Sequence, residues 1–319
     1  MADAPFADAL RSSNEPANPI MPHLTCVLHH HIGQEGAFEK GLGLTSSREA
    51  FERHLAWLGE RYEFVSLDQV LSGDLPKKPL LLTFDDAWHS VLGIARDVLS
   101  PRGIPAVYFI NPGMVEEGAI SLDSMLAYAV NTFGIGEVCK ALGLPRCDAV
   151  HSVIVNDMAK LGSAERQGVV AELIAKFGPV DLDQRARLLS GDDLKELVSL
   201  GIEIGNHTKT HVHCRSLSAD EMQEEIAGSK ALLEELSQSR VRSLSIPYGH
   251  ELDLTDEVHR HARESGHEAI FLVHARANWL RPAKDVWYRR SLTNQSNREL
   301  AMELQIKQHL RSARKAVLG

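Results

Sequence analysis

The sequence predicts an α/β fold in which strands and helices alternate, and two observations support this prediction. Short apolar runs, such as residues 79–84, are followed by amphipathic stretches, which is the βα order of a parallel sheet. Polar residues also gather where such runs end, with Asp85 and Asp86 after one and His207 and His211 after another. Because a parallel barrel carries its ligands at the carboxyl ends of its strands, these four side chains are expected to meet at one rim.

The individual elements follow from apolar runs, capping signatures and breakers. The predicted strands are residues 24–28, 79–84, 106–110, 202–205, 244–246 and 269–273. A helix over residues 88–99 is predicted to end before Pro101 and Gly103. Capping boxes that open further helices are predicted at Ser46-x-x-Glu49, Ser218-x-x-Glu221 and Ser296-x-x-Glu299.

Residues from about 115 to 192 exceed what a minimal barrel needs and are predicted to form a helical insertion. Its predicted helices are residues 122–132, 135–142, 163–177 and 191–200. Such an insertion can be a cover that packs on the barrel flank, or a lid or dimer surface near the site. The sequence leaves both interpretations open, and it leaves the oligomeric state open as well.

Length and composition predict one globular domain. The chain has 319 residues, of which 44% are hydrophobic, enough for a full core. Residues 1–22 are polar and rich in Pro and Asn, and we expect a flexible N-terminal segment there, followed by a single domain over residues 23–319. They show neither the basic region nor the apolar region of a signal peptide, which predicts a cytoplasmic protein.

Charge, hydropathy and cysteine spacing argue against nucleic acid as a partner, against a membrane span and against a cysteine-bound metal. A net charge of -9 without a long Lys/Arg run argues against nucleic acid, whose binding depends on neutralising phosphates. No apolar run reaches the roughly 18 residues that a membrane span needs, so none is predicted. The four cysteines show no metal-binding spacing and are expected to be reduced thiols: Cys26, Cys139, Cys147 and Cys214.

The acid pair and the histidine pair together predict a metal site with a spare base. Two imidazoles four residues apart can ligate one ion, and one carboxylate completes the set while leaving positions for water and substrate. The ion would polarise a carbonyl, and the second carboxylate could act as a base. Asp85 and Asp86 could equally begin a helix as cap and first-turn acid, and both roles can hold together.

Three motifs resemble those of a known family. Thr83-Phe84-Asp85-Asp86, His207-Thr208-x-x-His211 and Pro247-Tyr248-Gly249 look like the first three motifs of the polysaccharide deacetylases, metal-dependent carbohydrate esterases with the NodB homology domain. Residues 27–33 resemble the first strand of the exopolysaccharide branch, and the likeness covers about residues 24–115 and 190–310. It implies a distorted (β/α) barrel that removes an N-acetyl group from an amino sugar, an oligosaccharide or a carrier-linked sugar.

The resemblance also implies roles for individual residues. Asp86, His207 and His211 match the metal ligands, with Zn²⁺ the expected ion, and Asp85 matches the catalytic base.

The remaining expected site residues surround this centre. Tyr248, after Pro247, stands where the family uses a backbone N–H against the oxyanion, and its ring could also be a groove wall. Trp88, just after the acid pair, is a third candidate for substrate binding. Arg289 resembles a late arginine that orients the base, or it is a salt-bridged surface residue.

The general acid is not marked by a motif. The His-Asp ending that many family members carry does not follow Arg290, and His274 and His30, each at the end of a predicted strand, are the substitutes. Two other functions keep the same site: hydrolysis of another non-peptide C–N bond, such as a cyclic amide, and an inactive metal-binding module.

Overall fold

The computed structural model describes residues 23–115, 120–144, 148–178, 188–274, 276, 278–279 and 285–306. The predicted N-terminal segment, residues 1–22, lies outside the described residues, as does Cys147. The strands are β1 (His23–His29), β2 (His31–Ile32), β3 (Thr45–Ser46), β4 (Glu63–Phe64), β5 (Pro79–Phe84), β6 (Ala106–Ile110), β7 (Ile202–Asn206), β8 (Ser243–Ser245), β9 (Ala269–Val273), β10 (Asn278–Trp279) and β11 (Val286–Ser291).

Helices connect these strands. They are α1 (Arg48–Gly59), α2 (Leu67–Ser72), α3 (Ser90–Ile94), α4 (Leu122–Phe133), α5 (Ile135–Ala141), α6 (Val150–Ser152), α7 (Ser163–Phe177), α8 (Gly191–Ser199), α9 (Ala219–Met222), α10 (Ser229–Ser237), α11 (Asp256–Glu264) and α12 (Asn297–Ala301). Wider π-helical turns extend four of them, at Ala95–Leu99, Val153–Asp157, Gln223–Gly228 and Met302–Ile306. None of the helices in the described ranges is both long and apolar enough to cross a membrane.

Seven parallel strands close into a barrel in the order β1-β5-β6-β7-β8-β9-β11, because β1 pairs with both β5 and β11. Two short strands extend the sheet at its margins, β4 beside β5 and antiparallel β10 beside β1. The (β/α) barrel expected from the sequence is thereby confirmed, and it has seven strands. All seven carboxyl ends lie at one rim, where a barrel of this kind carries its site.

Alternation along the strands separates two apolar layers. On β5, Leu80, Leu82 and Phe84 pack outward against the helices, whereas Leu81 belongs to the cluster inside the barrel. On β11, Trp287 joins that inner cluster, so Arg289, two residues on, also points inward. This alternation brings an arginine into the barrel interior.

The strand predictions were accurate to within one residue at either end, but the last barrel strand, β11, was not predicted. Its sequence carries two adjacent arginines, so it lacks the apolar run that marked the other strands. Capping boxes at Ser218 and Ser296 are confirmed. The prediction at Ser46 was wrong, because Ser47 caps α1 while Ser46 is buried and lies 3.0 Å from the ring of His29.

The insertion forms a compact helical unit with an apolar cluster of its own. Buried side chains of α4, α5, α6 and α7 make this cluster, among them Leu126, Val138 and Leu173. The partly buried Leu42 and Tyr248, from barrel loops, pack against it. The insertion is therefore seated on the ligand-bearing rim. Cys26, Cys139 and Cys214 are buried free thiols, as predicted.

Candidate active site

Asp85 is the most tightly held side chain at the rim. Arg289 donates to both of its carboxylate oxygens, Nη1 to Oδ1 at 2.6 Å and Nη2 to Oδ2 at 2.7 Å. Ser245 Oγ donates to Oδ2 at 3.2 Å and accepts from Arg289 Nη2 at 2.6 Å. Both charged residues are buried, Arg289 completely. This bidentate pair fixes the orientation of the carboxylate, since a forked guanidinium matches its geometry.

The electrostatics of Asp85 favour its ionised form. Burial raises the pKa of this carboxyl, but the charge of Arg289, the neighbouring His207 and the hydrogen bonds from the guanidinium outweigh it and hold the pKa well below the usual range. Asp85 is therefore a carboxylate over the whole neutral range.

Asp86 faces the histidines. Its Oδ1 lies 3.6 Å from His207 Nε2 and 3.5 Å from His211 Nε2, while Oδ2 accepts a hydrogen bond from Trp88 Nε1 at 3.2 Å. One donor atom from each of Asp86, His207 and His211 lies within 4.8 Å of the others. Within the described part of the chain, this is the one group of three or more such side chains close enough to share an ion.

His207 is oriented by the barrel. Its Nδ1 lies 2.8 Å from the carbonyl oxygen of Ser245, so Nδ1 carries the proton and Nε2 presents its lone pair toward Asp86. Burial lowers the pKa of His207 to about 4, although Asp85 and Asp86 oppose this effect. His207 is thus neutral, the form that can bind a metal.

His211 is oriented by the insertion. Its Nδ1 lies 3.2 Å from Asp123 Oδ2 on α4, and its Nε2 faces Asp86. Burial lowers the pKa of His211, but the hydrogen bond to Asp123 and the charge of Asp86 raise it by more, so the net shift is upward. Asp123 in turn contacts Arg166 Nη2 at 3.0 Å and the Tyr248 hydroxyl at 2.9 Å.

The loop that carries the histidines is held by two buried asparagines. Asn206 Oδ1 accepts from the backbone N–H of Thr208 at 3.0 Å, and Asn111 donates to the carbonyl oxygens of His207 and Thr208. The Thr208 hydroxyl is buried without a hydrogen-bond partner among the described residues. The two asparagines therefore brace the loop.

Left-handed backbone conformations concentrate at the site. Asp86, Thr208, His211 and Tyr248 have φ between 58° and 68°, and only one other non-glycine residue of the described ranges, at a helix end, has positive φ. Each such residue costs about 1–2 kcal/mol, so the surrounding contacts must overcome several of these penalties. Gly249 follows with φ 69°, where a side chain would collide with the backbone nitrogen of Val273.

A pocket of about 200 Å³ opens over these groups. Its floor holds Asp85, Asp86 and the two histidines, and its wall includes Leu42 from a barrel loop and Ile154 from the insertion. His30 also lines it, and its ring Nδ1 is buried without a hydrogen-bond partner among the described residues. Burial lowers the pKa of His30, while Asp86 and Asp85 act in the opposite direction.

Four of the predicted residues do not line this pocket, and one of them, Arg289, instead holds Asp85. Trp88 is buried and holds Asp86, with its ring 5.5 Å from that of His31. Pro247 is buried and does not line the pocket, and His274 lies outside the pocket with its ring 5.9 Å from that of Tyr288.

Tyr248 does line the pocket, but its hydroxyl is directed to Asp123 and its ring stacks on His213 with centroids 3.8 Å apart. The ring is thus fixed between the barrel and the insertion. This position agrees with a pocket-wall role for the ring, and the oxyanion role of the Tyr248 backbone N–H stays a prediction.

The structure brings several residues to the site that no sequence motif predicts. Ser245, Asp123, Arg166 and two pocket-lining histidines, His151 and His250, belong to this group. Only Ser245 and His250, which flank the Pro247 motif, carried a positional signal. Asp123 and Arg166 lie in the insertion, far from any motif.

The barrel brings the acid pair and the histidine pair together, and three of these side chains form a group that could hold a metal ion. The family model described as polysaccharide deacetylase matches residues 72–270, well over half of the chain. The chain therefore belongs to the polysaccharide deacetylase family. His30, His274 and Arg289 lie outside the matched range. No curated protein matches the chain.

Solved structures share the fold. The Streptococcus pyogenes deacetylase PplD, in complex with acetate, is 16% identical, with a TM-score of 0.61 over 89% of this chain and 99% of that one. IcaB from Ammonifex degensii is 21% identical, with a TM-score of 0.57 over 89% and 97% of the two chains. BC0361, a polysaccharide deacetylase from Bacillus cereus, is 15% identical, with a TM-score of 0.58 over 89% and 70%.

Proposed function

We propose that this protein is a metal-dependent hydrolase that removes the N-acetyl group from an amino sugar, an oligosaccharide or a carrier-linked sugar and releases acetate. The observation that carries the proposal is the juxtaposition of a three-residue donor set, Asp86, His207 and His211, with a separate carboxylate, Asp85, that Arg289 keeps ionised. The membership in the polysaccharide deacetylase family supports the reaction class.

The donor set fits a divalent ion, and Zn²⁺ is the ion we expect. Two ligands of one zinc, each about 2 Å from it, stand roughly 3–4 Å apart, in line with the 3.5 and 3.6 Å between Asp86 Oδ1 and the two Nε2 atoms. Arg289 balances the charge of Asp85 only, which leaves Asp86 to be balanced by a cation. When bound, the ion would polarise the acetyl carbonyl and make water more acidic.

Asp85 is placed to take a proton from the attacking water. It is ionised, buried and fixed by two hydrogen bonds from Arg289. The carboxylate therefore does not have to rotate before it accepts the proton. Addition of the water oxygen to the carbonyl carbon and cleavage of the C–N bond yield acetate and an amine. The departing nitrogen must gain a proton, and His30, which lines the pocket, is our candidate to supply it.

The pocket restricts the substrate. At about 200 Å³, it is smaller than the roughly 300–1,000 Å³ of sites for drug-sized ligands, and Ile154 of the insertion closes one side. One acetylated sugar unit, free or at the end of a short or carrier-linked chain, is the substrate that we propose for it.

The test measures acetate released from N-acetylated glucosamine and its oligomers, after chelation and after Zn²⁺ is restored. We expect activity to disappear with chelation, to return with metal, and to fall by about 10²–10⁴ in Asp85→Asn, the typical contribution of a general base. Asp97→Asn, on an exposed helical surface, is the matched control and should retain full activity.

Three results would contradict the proposal. Full activity of Asp85→Asn would remove the base from the mechanism. Hydrolysis of a cyclic amide but of no acetylated sugar would favour the other C–N hydrolase. Metal binding without turnover on either kind of substrate would favour an inactive binding module.

A further inference from the structure

We infer that Asp123 is a positioning residue for His211, so that the insertion completes the metal site that the barrel begins. The inference rests on the proposed metal-binding role of Asp86, His207 and His211. It differs from both sequence-based interpretations of the insertion, a flank cover and a lid, because it assigns a structural part of the metal centre to α4.

The contact between Asp123 and His211 selects one state of the imidazole. With Asp123 Oδ2 at 3.2 Å, Nδ1 carries the proton, and Nε2, 3.5 Å from Asp86 Oδ1, is left as the donor atom. A carboxylate behind a histidine ligand fixes both the tautomer and the ring orientation, and it makes the ring more basic. In this chain that carboxylate comes from a different region than the ligands.

Asp123 is itself held from two sides. Arg166 Nη2 lies 3.0 Å from Oδ1, and the Tyr248 hydroxyl donates to Oδ2 at 2.9 Å. Arg166 is 3% exposed and also donates from Nη1 to the carbonyl oxygen of Met158 at 3.2 Å. These anchors come from the insertion and from the Pro-Tyr-Gly turn, so the carboxylate cannot turn away without breaking both.

Charge supports the same assignment. A carboxylate that is only 9% exposed carries a large desolvation cost, and Arg166, His211 and the Tyr248 hydroxyl offset it. An acid in the first turn of α4 would be favourable in water as well, through the helix dipole. Its burial against a histidine of the donor set therefore needs an explanation beyond helix stability.

The alternative is that Asp123 only ties the insertion to the barrel. Metal affinity separates the two roles, because a tie alone would change the melting temperature but not the dissociation constant of a bound ion. The measurement uses the full-length protein freed of metal, with Zn²⁺ titrated in competition with a chromogenic chelator. Substitution of Co²⁺ adds an absorption spectrum that reports the ligand geometry.

We expect Asp123→Asn to weaken Zn²⁺ binding by about 10- to 100-fold, as is typical when the partner of a ligating histidine is lost. The Co²⁺ spectrum should change at full occupancy. Glu172→Gln, an exposed acid of α7 in the same insertion, is the matched control and should leave both readings unchanged. The double variant Asp123→Asn/Arg166→Gln removes both charges of this buried pair and should weaken binding to a similar extent.

Asp86→Ala distinguishes failure of the inference from failure of the proposed function. If Asp86→Ala loses the metal while Asp123→Asn binds it as tightly as the parent, Asp123 has no positioning role and the metal site stands. If Asp86→Ala binds Zn²⁺ as before, the proposed donor set is wrong, and the inference is overturned along with it. Circular dichroism of each metal-free variant establishes that it is folded.

Discussion

The two histidines of the site are four residues apart, yet they are held by different regions of the molecule. The barrel holds His207 through a neutral backbone carbonyl, that of Ser245 on β8. The insertion holds His211 through a charged carboxylate, that of Asp123 on α4. The pKa values diverge accordingly, lowered to about 4 by burial for His207 and raised for His211, whose burial is outweighed by its two carboxylate neighbours.

Each half of the site also contains a buried arginine–aspartate pair, with a different task. Arg289 and Asp85 belong to the barrel half, and Asp85 faces the pocket as the proposed base. Arg166 and Asp123 belong to the insertion half, and Asp123 contacts Nδ1 of the proposed metal ligand His211. One kind of ion pair can therefore serve proton transfer or ligand geometry, depending on what its carboxylate contacts.

Removal of the barrel arginine should have the largest effect. In Arg289→Gln, burial of Asp85 is no longer opposed by the guanidinium, so its pKa rises and the base is partly protonated. We expect kcat to fall by about 10²–10⁴ at neutral pH, with the acid limb of the pH profile shifted to higher pH. Zn²⁺ affinity should change little, because Arg289 does not contact the donor set.

The matched control for this variant is Arg290→Gln. Arg290 is the next residue of β11 and therefore lies on the opposite face of the strand. If Arg289→Gln kept a normal kcat but lost its metal affinity, the tasks that we assign to Arg289 and Arg166 would be reversed.

Replacing the two candidate general acids should affect kcat unequally, and less than Arg289→Gln does. His30 lines the pocket beside Asp85, whereas His274 lies outside it near Tyr288. We expect His30→Ala to lower kcat by about 10²-fold, the lower range for a proton-transfer group. His274→Ala should leave kcat near that of the parent.

Both variants would be assayed on an acetylated sugar and on an activated acetyl ester, whose leaving group needs no proton. A loss in His30→Ala that disappears on the ester assigns the acid. Equal activity of both variants on the sugar would mean that neither histidine donates the proton.

The difference between the two halves also explains what could be predicted from the sequence. The barrel strands with apolar runs and the four central side chains are marked by local patterns, and the structure brings all four side chains together. Asp123 and Arg166 reach the site only through the packing of the insertion core, which no short motif encodes. Strand β11 was missed because its inward arginine interrupts the apolar pattern that identifies buried strands.

The smallest predicted effect concerns the scaffold of the barrel half. His267 is buried, and its Nε2 lies 3.2 Å from Nδ2 of Asn206. Asn206 is one of the two asparagines that brace the histidine loop. Burial lowers the pKa of His267 to about 4, only partly opposed by its hydrogen bond to the carbonyl of Ala262. The unfolded chain binds the proton near pH 6.5, so between about pH 4 and 6.5 it binds more protons than the folded protein, and stability rises with pH there.

We therefore expect His267→Gln to reduce the pH dependence of the unfolding free energy between pH 4 and 6.5. The slope should fall by the equivalent of up to one bound proton, which is on the order of 2 kcal/mol over the range. Urea unfolding of the metal-free protein at several pH values measures this slope. An unchanged slope in His267→Gln would show that this histidine is not held neutral, and the acid sensitivity of the fold would then have to come from the other ionisable groups, such as the buried ion pairs of the two halves.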